Sequence, residues 1–129
     1  KGKGAWRNGE RISVSSVTAC ENALVATGFP YEIASRVDEI LERMRPVLSS
    51  CQGVRRCGAA ALDLAWTACG RFDAFYEDEL KPWDMAAGAL LVTEAGGSIS
   101  NLDGSPFDLR WSILAGNKAM HELIGKMIR

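Results

Sequence analysis

Lys81-Pro82-Trp83-Asp84-Met85-Ala86-Ala87-Gly88 leads through Leu90, Leu91, Val92 and Glu94 to Ala95-Gly96-Gly97, and this run decides the fold. Pro82 suits the entry to a helix, where a missing N–H removes no hydrogen bond. Asp84 falls in or beside the first turn, facing unpaired N–H groups and the positive end of the helix dipole. The residues that follow are apolar nearly all the way round, which predicts a helix covered on every side. Gly96-Gly97 supplies a left-handed stop. A lone acid at the mouth of an apolar helix is either a cap or a ligand for a hard cation, and it can serve as both.

Outward from that helix, the chain alternates in type. Upstream, Phe72–Tyr76 reads as a strand with period-two alternation, Ala59–Cys69 as a helix and Gly53–Cys57 as a strand. Ile33, Val37, Ile40, Leu41 and Met44 recur at helical spacing, with Arg36, Glu39, Glu42 and Arg43 expected to face water. Pro46 is expected to end or kink that helix. Asn22 to Gly28 reads as a buried strand. Asn8-Gly9 is a hairpin turn, although the residues before it are few and glycine-rich for a first arm. Ile12 and Val14 alternate with Ser13 and Ser15 in a short strand. Downstream, strands are expected near Ser98–Ser100 and Trp111–Ala115, separated by a turn at Asp103-Gly104. Met120 to Ile128 closes as an amphipathic helix. This alternation predicts an α/β layered domain, a mixed sheet flanked by helices.

Composition narrows the function. The 129 residues are 47% hydrophobic and 24% charged, ordinary values for a globular domain with a core. Lys plus Arg number 15 and Asp plus Glu 16, so no net field draws the chain toward nucleic acid or anionic lipid. No apolar run is long enough to cross a bilayer. Lys1-Gly2-Lys3-Gly4 lacks the apolar segment of a signal peptide. The four cysteines, Cys20, Cys51, Cys57 and Cys69, have no zinc-site spacing. They read as buried free thiols of a cytoplasmic protein, with a Cys51–Cys57 disulfide as the weaker option. His121 reads as a solvent-facing helix residue.

Three places can face one pocket. Asp84 is the first. Gly58-Ala59-Ala60 is the second, a strand-to-helix junction whose backbone N–H groups either meet a polar ligand or simply make a turn. Glu77 is the third, ending a strand seven positions before Asp84. Ligands gather at the carboxyl ends of strands in open α/β sheets. With Asp78 and Glu79 beside it, Glu77 reads equally as part of a solvated acidic loop.

The fifteen positions from Trp83 to Gly97 closely resemble the C-terminal signature of the inositol monophosphatase family, W-D-x-A-A-G followed by an apolar run and E-A-G-G. Gly2-Lys3-Gly4-Ala5-Trp6-Arg7-Asn8-Gly9 resembles the family's G-x-G-A-x-x-N-G hairpin. Gly58 through Ala65 resembles its G-S/T-A-A-L-D-L-A segment, with Ala59 in place of the usual hydroxyl residue. Gly70 through Glu77 resembles the strand that delivers a substrate-contacting acid. The resemblance implies that Asp84 binds a catalytic Mg²⁺, that Glu77 accepts hydrogen bonds from inositol hydroxyls, and that Gly58, Ala59 and Ala60 lie against the ring. It implies scaffold roles for Trp83, Glu94, Gly96 and Gly97.

The family's G-E-E and D-P-L/I-D-G-T motifs, which supply most of the metal ligands, do not occur in these 129 residues. The chain therefore resembles the C-terminal lobe of an alternating α/β/α/β/α sandwich whose N-terminal lobe is absent. The implied reaction is Mg²⁺-dependent, lithium-sensitive hydrolysis of a small-molecule phosphate ester, inositol 1-phosphate foremost, by a water activated by two or three metal ions. Histidinol phosphate and fructose 1,6-bisphosphate are alternative substrates within the superfamily. Phosphate monoesters resist water so strongly that enzymes accelerate their hydrolysis by up to about 10²¹-fold. Asp84 and Glu77 cannot hold two Mg²⁺ ions, so this chain alone is expected to be inactive. A homodimer is implied by the family. A non-catalytic interaction module that kept the fold is the rival from another class.

Overall fold

The computed structural model describes residues 1–129. A short antiparallel hairpin, β1 (Ala5–Arg7) and β2 (Glu10–Ile12), precedes the main body. The body then runs β3 (Leu24–Thr27), α1 (Val37–Ser50), β4 (Gly53–Arg55), α2 (Ala60–Ala68), β5 (Ala74–Glu77), α3 (Pro82–Glu94), β6 (Ser98–Ser100), β7 (Ile113–Gly116) and α4 (Lys118–Ile128). Its five strands form one mixed sheet in the order β4-β3-β5-β7-β6. β4, β3 and β5 are parallel, and β7 runs antiparallel to both β5 and β6.

Successive side chains of a strand point to opposite faces, and here both faces are covered. Ala26, Phe75, Ile113 and Ala115 pack with Leu64 and Ala68 of α2 and with Met85, Ala89 and Val92 of α3. Val25, Ala74, Tyr76 and Leu114 pack with Val47 of α1 and with Met120, Ile124 and Ile128 of α4. The result is three layers, helices on either side of a sheet, as the alternation of elements predicts. β5 sits at the centre, so Ala74, Phe75 and Tyr76 are all buried. The period-two pattern expected there sorts residues between two cores, not between core and water.

α2 and α3 pack tightly because Gly88 has no side chain. A Cβ at that position would stand 2.4 Å from Leu64 Cβ, so a methyl would force the helices apart at a cost of about 1–3 kcal/mol. This close crossing holds the start of α3 beside the start of α2 and so fixes two walls of the site.

Several local expectations are corrected. The first hairpin arm does form: Gly2 and Gly4 donate backbone N–H bonds to the Glu94 carboxylate at 2.6 and 2.8 Å. That long-range tie secures a segment too glycine-rich to order itself. Pro46 neither ends nor breaks α1, which continues to Ser50. α1 buries only Val47 completely, leaving Val37, Leu41 and Leu48 exposed. α3 is not covered on every side either, since Trp83 is 77% and Leu90 42% exposed. No helix is long and apolar enough to cross a membrane.

Candidate functional site

Because β3, β4 and β5 are parallel, their carboxyl ends open on one side, where a cavity of about 770 Å³ lies. Glu77, Asp84, Gly58, Ala59 and Ala60 all line it. The three places singled out in the sequence are thus brought together. Tyr31, Trp83 and Trp111 add aromatic walls.

Glu77 is the last residue of β5 and is half-buried. Its carboxylate makes no hydrogen bond or ion pair with the rest of the chain. Burial pushes its pKa up to about 7, helped by the negative charges of Asp63, Asp78 and Asp84 and opposed by Arg56. A desolvated acid without a donor is unfavourable unless something outside the chain supplies one. Asp84 is the third residue of α3, and its Oδ2 accepts the Lys81 backbone N–H at 2.9 Å. This is one arm of a capping box; the other is closed to the Lys81 side chain, an ammonium with no acceptor atom. The second carboxylate oxygen of Asp84 has no hydrogen-bond donor from the chain.

Gly58 turns the chain from β4 into α2 at φ +84°. Ala59 is the N-cap of α2 and offers no side-chain cap, so the first N–H groups of the helix are left for a ligand or water. Two residues that sequence reading passed over belong to the same cavity. The Arg56 guanidinium stacks over the Phe29 ring at 5.7 Å and makes no ion pair. The only sequence signal was the pair Arg55-Arg56 just ahead of the Gly58 turn. On the first turn of α2, Asp63 is wholly buried with neither oxygen hydrogen-bonded, and burial holds its pKa up, opposed by the nearby Cys57 and Arg56.

The neighbouring acids behave differently. Asp78 is 7% exposed and is gripped by Arg36 at 2.7 Å and Arg43 at 2.9 Å. Glu79 pairs with Arg36 at 2.8 Å. The expected solvated acidic loop is therefore a clamp between the β5–α3 loop and α1, and Arg36 and Arg43 do not simply face water. A cleft of about 700 Å³ lies over this clamp, but its acids and arginines largely satisfy one another.

His121 is also corrected. It is half-buried, lies 3.0 Å from Ser100 Oγ, and burial together with Arg129 lowers its pKa. All four cysteines are free, none fully buried and Cys57 exposed. Burial, then the adjacent Cys20 thiol, raises the Cys51 pKa to about 11. Cys51 thus sits beside Cys20, not in a bridge to Cys57.

The donor set sets a limit on metal binding. Mg²⁺ takes one or two carboxylates, waters and substrate phosphate oxygens in near-octahedral geometry. Asp84 can fill one such position, but no group of three or more acid, His or Cys side chains capable of holding a metal occurs in the chain.

The chain is an α/β protein with an acid-lined, aromatic-walled cavity at the carboxyl ends of its parallel strands, where open α/β sheets generally hold ligands. The chain belongs to the inositol monophosphatase family, whose profile matches residues 1–129. Among its relatives, the Nus factor SuhB of Pseudomonas aeruginosa is 48% identical over 91% of this chain and 44% of its own length. The inositol-1-monophosphatase of Caulobacter vibrioides is 43% identical over 100% of this chain and 52% of its own. The crystal structure of the extragenic suppressor protein suhB from Bartonella henselae superposes with a TM-score of 0.95 at 39% identity, covering 100% of this chain and 50% of that one. The chain spans about half the length of the relatives it matches.

Proposed function

We propose that this chain supplies the alcohol-reading face and one metal ligand of a Mg²⁺-dependent phosphate monoester hydrolase acting on inositol 1-phosphate or a similar sugar-alcohol phosphate. The observation that carries the reading is Glu77: a half-buried carboxylate, without a donor, at the edge of a cavity. A polyol ring presents several hydroxyl donors, which are what an ionised, orphaned acceptor lacks. Arg56, unpaired on its Phe29 platform, offers donors to the oxygens of the same substrate. The N–H groups at the start of α2 are placed to meet the ring from a third side. Family membership and the name of the Caulobacter relative add support.

Asp84 is the residue of this chain that would hold Mg²⁺, through the oxygen not engaged by Lys81. When bound, the ion would supply charge neutralisation at the leaving oxygen. The remaining ligands belong, in this proposal, to the complementary half that the longer relatives possess. The exposed apolar side chains Trp83, Leu90 and Leu62 are the surface against which such a half would pack.

The test joins this chain to the complementary half of the Caulobacter relative and measures phosphate release. Glu77→Gln should raise KM for inositol 1-phosphate about tenfold or more while sparing fructose 1,6-bisphosphate and histidinol phosphate. Equal losses on all three would remove the inositol assignment. The 129 residues alone should show no Mg²⁺-dependent turnover, and turnover would contradict the account of the metal site. A second reading, a partner-binding module, draws on the Nus factor name of the Pseudomonas relative. It gains if the joined protein folds but hydrolyses none of the three esters.

A further inference from the structure

Gly28 follows the last residue of β3, and the neighbouring parallel strand pairs Tyr76 with Thr27. Thr27 Oγ1 also donates to the Tyr76 carbonyl at 2.9 Å, locking the two strand ends together. One step further along, Gly28 and Glu77 lie side by side. A Cβ built on Gly28 would stand 2.0 Å from Glu77 Cδ, 2.1 Å from Oε2 and 2.2 Å from Oε1. The whole carboxyl group therefore rests on the bare Cα of Gly28. Gly28 does not occupy the left-handed region, so its backbone would accept alanine freely. The three atoms nearest to such a Cβ all belong to the Glu77 carboxyl group.

This contact has a consequence for the cavity. Glu77 has no hydrogen bond or ion pair to locate its acid, so steric support and the field of nearby charges determine where the oxygens point. We propose that Gly28 is a positioning residue, a backbone floor that sets the height and heading of the Glu77 carboxylate toward the substrate's hydroxyls. The proposal rests on the reading of Glu77 as the alcohol acceptor. A single methyl at position 28 would lift the acid off its seat, by more than hydrogen-bond geometry tolerates.

A double-mutant cycle tests it. Gly28→Ala, Glu77→Ala and the double variant are made in the 129-residue chain for melting, and in the joined enzyme for kinetics on inositol 1-phosphate. The carboxyl group ends a flexible side chain and can swing into the cavity, so Gly28→Ala should lower the melting temperature by only about one or two degrees when Glu77 is present and not measurably when residue 77 is alanine. If Gly28→Ala prevents folding outright, Glu77→Ala should restore it. In the joined enzyme Gly28→Ala should raise KM about tenfold with kcat within threefold, and the double variant should be no worse than Glu77→Ala alone. Equal melting losses in both backgrounds, or additive KM effects, would overturn the proposal. If Glu77→Ala itself leaves KM unchanged, the substrate reading of Glu77 fails and the functional role of Gly28 falls with it, even where the melting cycle shows coupling.

Discussion

Glu77 and Asp78 are adjacent acids at the end of one strand, yet they have opposite surroundings. Asp78 turns toward α1 and is buried between two guanidinium groups. Glu77 turns toward the cavity, rests on Gly28, and has no donor from the chain. One residue's difference in position flips a side chain to the other face of a strand, so the two acids sample different layers. The satisfied acid ties elements together. The one without a donor from the chain keeps an elevated pKa at a cavity wall, where a ligand can supply the missing donors, and such perturbed acids cluster at binding sites.

Substitutions should separate the pair sharply. Asp78→Ala removes the most buried acid of the clamp; Arg36 and Arg43, each only 20% exposed, keep Glu39, and Arg36 also keeps Glu79. Both arginines stay partnered and partly solvated, so the loss expected in urea unfolding is about 2 kcal/mol, below the cost of an uncompensated buried charge. A loss below 0.5 kcal/mol would show that the clamp is ornamental.

Glu77→Gln should do the reverse. The folded pKa lies near 7, above the ordinary 4.5, so the native state holds the proton more tightly than the unfolded chain. Stability from this group is complete below pH 4.5 and is lost as pH rises toward and through 7. Glutamine cannot ionise, so the variant should gain on the order of 2 kcal/mol over the parent at pH 8 and nothing at pH 4. Unfolding curves at the two pH values measure this directly, and equal effects at both would break the contrast with Asp78.

A smaller effect is expected at the helix beside them. Ala59 caps α2 in an extended conformation, φ −147° and ψ 90°, with no side-chain acceptor. Ala59→Ser should add about 1 kcal/mol of stability by accepting a free N–H of the first turn. Thermal melting would show it, and no gain would mean those N–H groups are already satisfied.

Much of the architecture was legible in the chain. Pro82, Asp84 and Gly96-Gly97 marked both ends of α3, and the alternation of strands and helices gave the layers. The convergence of Asp84, Glu77 and Gly58–Ala60 followed from their places at strand ends and helix starts. What stayed hidden was long-range. Glu94 holds Gly2 and Gly4 across about ninety residues of sequence, so the first hairpin arm looked unsupported. Asp78 meets Arg36 and Arg43 from 42 and 35 positions away, so its loop looked solvated. Arg56 and Phe29 meet only when β3 and β4 pair. Periodicity reports which face a residue occupies and is blind to which partner waits there.

The most direct test follows the Glu77 side-chain carboxyl carbon by NMR as pH is varied in the 129-residue chain. A midpoint near pH 7 is expected, as befits a half-buried acid with acidic neighbours and no donor of its own. A midpoint near 4.5, the value of a freely hydrated glutamate, would contradict the account, because the site would then hold no unmet demand for a substrate to fill.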